Sequence, residues 1–165
     1  MQCEDRWLRY AARGALKIVP EDEWKKRVMD LNGFVSSTWR LEGLLALFQI
    51  DPATYAKEIQ FPRTDSYLIP RIEGGEDVDV LRLYELALLA GAKGRNAEIP
   101  AYDILHQFPF GKARLDAEAA RIMVYLQLDV VTNPLVTQLE KEPDQEMQIH
   151  YALCLRYLEK AGRRN

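Results

Sequence analysis

Apolar positions along the chain recur every three to four residues in one segment after another, and no segment keeps an apolar/polar alternation of period two. The pattern therefore predicts helices throughout. Leu8, Ala12, Ala15, Leu16 and Val19 share one face of a helix over residues 6–19, the face expected to turn inward. Pro20 stops that helix and opens the next, with Glu21, Asp22 and Glu23 near the positive end of its dipole. This second helix runs to about Leu31, with Trp24, Val28 and Leu31 inward and Asn32-Gly33 as its turn. A third covers about Ser37 to Gln49. Asp51-Pro52 supplies an N-cap and a first-turn proline for a short fourth helix, ending near Gln60.

Phe61 to Gly75 holds two prolines and a Gly-Gly pair, and reads as a loop with one helical turn around 66–69. Asp77 to Ala90 is apolar almost all round, as expected of a helix buried on several sides. Asn96 is placed to cap a helix that ends near Gln107, before Phe108-Pro109. Further helices are expected over Leu115–Leu128, Thr132–Lys141 and Gln145–Ala161. The total is eight or nine helices with short links, so neighbours run roughly antiparallel.

Three segments resemble one another: 7–16, 118–126 and 148–158. Each places alanine ahead of large apolar residues at helical spacing, and a small residue there lets two helix axes approach closely. Weak similarity recurring between helical hairpins is the mark of a solenoid. The clearest unit is Leu135 to Lys141, an acidic turn through Glu142-Pro143-Asp144, and then Gln145 to Ala152. On these residues the chain resembles HEAT repeats. The resemblance implies an all-α fold, an α-α superhelix (HEAT-like, armadillo-type solenoid) of about four helical hairpins. It further implies a single repeat domain over residues 1–165, a segment of a longer array.

A finer resemblance rests on Arg9-Tyr10-Ala11-Ala12-Arg13 with Pro20 and Trp24, on Phe108-Pro109, on Leu115-Asp116 with Tyr125-Leu126-Gln127, and on Gln148 to Ala152 with Leu155-Arg156. These are similar to the HEAT-like region of planctomycete-type membrane-bound proteins that join a dehydrogenase-like propeller to a c-type cytochrome module. In that family haem attaches at a CxxCH motif, which neither Cys3 nor Cys154 supplies. Any redox role would belong to other domains, with this region as a spacer.

Composition adds limits. A net charge of -3 with 28% charged residues lacks the basic excess of a general nucleic-acid binder, so no nucleic-acid partner is expected. The longest apolar stretch, near Leu41 to Ile50, is too short to span a bilayer, so no membrane insertion is expected. The first residues lack the apolar core of a secretory signal. The chain is expected to be soluble, with no compartment fixed; an exported or periplasmic parent is compatible with it.

Candidate chemistry is sparse. His106 follows Asp103 by three residues and His150 follows Glu146 by four, but a surface or capping histidine beside an acid explains each pair without a metal. Gly91 to Arg95 has neither the spacing nor the strand of a phosphate loop. No serine sits in a nucleophile elbow, and Asp77 with Asp79 suits a helix start. Cys154 lies in an apolar helical pattern and is expected in the core. No catalytic residue, metal ligand or cofactor is therefore assigned.

Tryptophan, tyrosine and arginine are favoured binding anchors. Trp7, Tyr10, Arg13, Trp39 and Arg40 are accordingly the candidate interaction surface, to which Trp24 could contribute; packing between helices is the competing role for the tryptophans. The leading functional expectation is a non-catalytic scaffold or protein-protein interaction module, docking a protein partner or neighbouring domains. A reading of another class is an enzyme. Some HEAT-like proteins are DNA glycosylases with a basic concave face, and Trp39 with Arg40 would mark that site here.

Overall fold

The computed structural model describes residues 5–29, 37–58, 77–93 and 95–158. Every regular element among them is helical, as expected. Nine α-helices follow in order: α1 (Arg6–Leu16), α2 (Lys25–Met29), α3 (Ser37–Ile50), α4 (Pro52–Glu58), α5 (Asp77–Leu89), α6 (Arg95–Gln107), α7 (Ala113–Tyr125), α8 (Thr132–Lys141) and α9 (Gln145–Arg156). The expected loop at 61–75 lies outside the described residues, as do Leu31 with its Asn-Gly turn and the last residues expected of α9. Two compact units emerge. One holds α1 to α4 and α5 from Arg82 onward; the other holds the start of α5, nearly all of α6, and α7 to α9.

In the first unit α3 packs against α1, α2 and α4. Leu41, Ala46, Leu47 and Phe48 give it a buried side. Gly43 lets α2 come close: a Cβ there would lie 2.5 Å from a methyl of the fully buried Val28. The expected helix from Pro20 to Leu31 is broken. Glu21–Glu23 form a single 3-10 turn, and α2 starts only at Lys25. Trp24 sits between them at φ -129°, outside helical geometry, and its indole N–H donates to the Val19 carbonyl at 3.4 Å. Trp24 and Val28 are nevertheless buried as expected. Asp51 caps α4 as the sequence suggests, accepting from the Thr54 amide at 3.1 Å. The Thr54 hydroxyl first, and this amide second, hold the Asp51 carboxyl pKa below its ordinary value. Tyr55 of α4 is buried and donates its hydroxyl to Glu21. Lys25 lies 4.7 Å above the Tyr55 ring and 3.6 Å from the Glu21 carboxylate.

Helix α5 corrects a second expectation. Leu81, Leu83, Tyr84, Ala87 and Leu88 are buried, but Arg82, Leu86 and Leu89 line an exposed side. Its apolar residues outnumber the positions its neighbours cover.

In the second unit α9 packs against both α7 and α8. Met147, Tyr151 and Cys154 are its buried residues, and Ala119, Ala120, Ile122 and Met123 of α7 and Leu135 of α8 are buried as well. Phe108 meets Tyr151 edge to face, with ring centroids 6.3 Å apart. The turn into α7 is pinned from within: buried Asp116 accepts the Phe110 amide at 2.7 Å. Burial raises the Asp116 pKa, and the backbone N–H groups of Phe110, Lys112 and Gly111 partly offset it. Gln127, at φ 53°, ties the ends of α7 and α9 together by donating to the carbonyls of Val124 (2.8 Å) and Tyr157 (3.0 Å).

Candidate interaction surface

Asp5 caps α1, accepting from the amides of Trp7 at 2.8 Å and Leu8 at 3.4 Å. The helix then presents two unlike faces, because 3.6 residues per turn separates Arg9, Arg13 and Leu16 from Trp7, Leu8, Ala11 and Ala15. The face that seats on α3 is the polar one. Arg13 Nε lies 2.9 Å and Arg9 Nε 3.7 Å from the carboxylate oxygens of Glu42 on α3, all three side chains being largely covered. Leu16 is half-buried beside them.

Of the inward face expected from the sequence, only Leu16 therefore lies on the seated side. Leu8 is 61% exposed, and Ala12, Ala15 and Val19 are exposed as well. Trp7 (67%), Tyr10 (64%) and Ile18 (86%) extend the open apolar surface. A Cβ on Gly14 would meet nothing within 4 Å. Two guanidiniums cannot share an apolar seat with α3, so Glu42 fixes the roll of α1. The apolar side is left outward.

The five residues singled out from the sequence do not form one cluster. Trp7 and Tyr10 lie on the open side of α1. Arg13 sits between the Tyr10 ring, 5.7 Å from its guanidinium carbon, and Glu42. Trp39 on α3 is half-buried, with Arg27 of α2 over its ring at 5.7 Å, and Arg40 is half-buried on the same helix. Trp24 is core. Glu42, which orients α1, was not among the expected residues; an acid one and a half turns into an apolar helix is the signal that could have marked it.

A second open stripe lies on α9. Ile149, Leu153 and Tyr157 follow at intervals of four and are all exposed, while Tyr151 and Cys154 point into the core. Acidic side chains flank its start: Glu140, Asp144 and Glu146 are exposed and Glu142 is half-buried. Asp144 caps α9 through the Glu146 amide at 3.0 Å.

The titratable groups beneath α9 are engaged in structure. His150 Nε2 lies 3.1 Å from the Ala117 carbonyl and 3.6 Å from Cys154 Sγ, and burial lowers its pKa. His106 is exposed on α6. Burial pushes the Cys154 thiol up to about 11, keeping it protonated and a poor nucleophile. Among the described residues no three of His, Cys, Asp and Glu gather as a metal site would require. No described helix is long and apolar enough to cross a membrane.

Compared with protein-family models, curated proteins and solved structures, the chain finds no match.

Proposed function

We propose that this chain is a non-catalytic interaction module of stacked, HEAT-like helical hairpins that works by offering open helix faces to a protein partner. The observation that carries this reading is the roll of α1. Its charged side is tied to Glu42, and its side bearing Trp7, Leu8, Tyr10 and Ile18 faces outward. Isolated exposed apolar residues are ordinary, but a continuous apolar helix face with aromatic anchors marks a binding surface. The buried ionisable groups support the same reading. Asp116 holds a turn, His150 holds α7 to α9, and the Cys154 thiol stays protonated.

The test uses Leu8→Ser and a dye that fluoresces on apolar surface, at low micromolar protein. Surface substitutions shift stability by no more than about 0.5 kcal/mol, which is roughly 1–2 °C in a chain of this size. Leu8→Ser is expected to lose at least half the dye signal and keep its melting temperature within that margin. A fall of several degrees would show that Leu8 packs inside the fold and would end this reading.

A further inference from the structure

No described residue of α1 is buried: Arg9, Arg13, Gly14 and Leu16 are half-buried and the others exposed. The core of the same unit lies in the helices that follow, where Val28, Ala46, Leu47 and Ala56 are buried. Charge joins α1 to α3 instead, through Arg9, Arg13 and Glu42. Arg9 Nε, Arg13 Nε and Glu42 Oε2 are covered from solvent, yet none of the three hydrogen-bonds to a described residue. Covered charges that gain no hydrogen bond recover only part of the hydration they give up, so this seat holds α1 by a small net free energy. The segment also has a marked end. Lys17 to Pro20, which follow the helix, are all exposed. There the chain is fastened to the core, because the buried Trp24 donates its indole N–H to the Val19 carbonyl at 3.4 Å.

We propose that α1 is an ionic latch: a helix that releases from α3 as one segment while α3 and α4 stay folded, with Glu42 as its catch and residues 17–19 as its hinge. A segment with few buried apolar contacts opens at a lower free energy than the core it rests on. The 11 residues of α1 fall short of the roughly 12–15 at which isolated helices persist in water, so the helix is lost on release. Release returns the three charges to water and bares the Glu42 side of α3, where Leu45 lies one turn further on. Ionic strength is the natural control, since salt screens charges once they reach solvent and weakens their attraction. The latch does not depend on what covers the outer face of α1.

The experiment is amide hydrogen exchange of the whole chain, read residue by residue. It is run in about 0.02 M and about 1 M sodium chloride, the second shortening the screening length to about 3 Å. In low salt the amides of Arg9 to Leu16 are expected to exchange about tenfold or more faster than those of Leu44 to Phe48 in α3. High salt should speed α1 severalfold further and leave α3 and α4 unchanged. Glu42→Gln removes the catch and should bring α1 within about threefold of unfolded-chain rates, with α3 still protected. Arg13→Gln leaves the sequence of α3 intact and should shift α1 the same way. Equal protection of α1 and α3 with the same dependence on urea overturns the latch, because the two helices then open together. So does a Glu42→Gln or Arg13→Gln variant in which α1 keeps its protection, or one in which α3 loses protection along with α1. The dye result with Leu8→Ser stands apart from these. An open outer face on a helix that exchanges with the core would defeat the latch and leave the docking surface intact.

Discussion

Replacing Glu42 by glutamine tests the seat of α1 directly, because it removes the charge and keeps the shape. Arg13 Nε lies 2.9 Å from this carboxylate and Arg9 Nε 3.7 Å from it, so one substitution leaves two guanidiniums without their counter-charge. The side chains retain 13% of their accessible surface at Glu42, 21% at Arg13 and 22% at Arg9. That places the cluster between two regimes. Fully exposed ion pairs contribute about 0–1 kcal/mol, and stranding one partner of a buried pair costs about 3–5 kcal/mol. We expect a loss of about 2 kcal/mol, or roughly 4–8 °C in melting temperature. All three tryptophans, Trp7, Trp24 and Trp39, lie in the first unit. Intrinsic tryptophan fluorescence therefore reports that unit alone, while circular dichroism follows the whole chain. The fluorescence melt should move by that amount. An apolar replacement of the cluster, Arg9→Met with Arg13→Leu and Glu42→Leu, should regain at least what Glu42→Gln loses, since desolvating charges has its own cost. A Glu42→Gln variant melting within 1 °C of wild type would refute the reasoning, because the carboxylate would then be solvated and α1 free to roll.

Four further outcomes follow from the same structure. Gly43→Ala should cost about 1–2 kcal/mol, the strain against Val28 outweighing a helix gain of about 1 kcal/mol. In a Val28→Ala background the same change should become neutral or stabilising, and chemical denaturation of the four proteins measures the coupling. Gly14→Ala should stabilise by up to about 1 kcal/mol, since its new methyl meets nothing; a loss in urea unfolding would contradict the outward placement. The folded pKa values of Cys154, about 11, and Tyr151, about 12, lie above their ordinary 9.0 and 10.0. Their contribution is complete below pH 9 and fades as pH rises toward 11 and 12, so melting temperature should fall across that window, and less so in Cys154→Ala with Tyr151→Phe. In a Cys3→Ser background, Cys154 should react with a disulfide reagent at pH 8 far more slowly when folded than in urea; equal rates would place it outside the core.

The sequence pattern located elements better than it oriented them. Capping at Asp51, the start of α3 at Ser37 and the whole of α8 match the structure because proline, aspartate and apolar spacing act locally. The break at Trp24 was hidden: helical spacing continues through it, and only the bond from its indole to the Val19 carbonyl shows why the backbone departs. The roll of α1 was hidden for a deeper reason. Periodicity shows that a helix has an apolar side; it does not show which neighbour that side meets. Here the decision lies with Glu42, 29 residues beyond Arg13, and a pairing over that distance leaves no local trace. Segments 7–16 and 148–158 look alike, yet Leu8 is open while Tyr151 and Cys154 are core. Similar sequence therefore serves opposite placements.

A surface helix ordinarily turns its apolar side to the core and its polar side to water. For α1 the polar face was available, since Arg9 and Arg13 could have pointed outward at no desolvation cost. Placing them against Glu42 gives up hydration of three charges and leaves Trp7, Leu8 and Ile18 in water. A fold optimised as an isolated chain would reverse that choice, and under the proposed docking role a covering surface would return the free energy. The strength of that surface should then track the apolar side of α1 and not its charges. Alanine at Trp7 should weaken binding of the apolar-surface dye severalfold, as loss of a central aromatic anchor does, while Lys17→Ala should change mainly its salt dependence. Dye titration of the two variants at low and high salt separates the contributions. If Lys17→Ala proved the more damaging at high salt, the open face would be incidental and the cations the true contact.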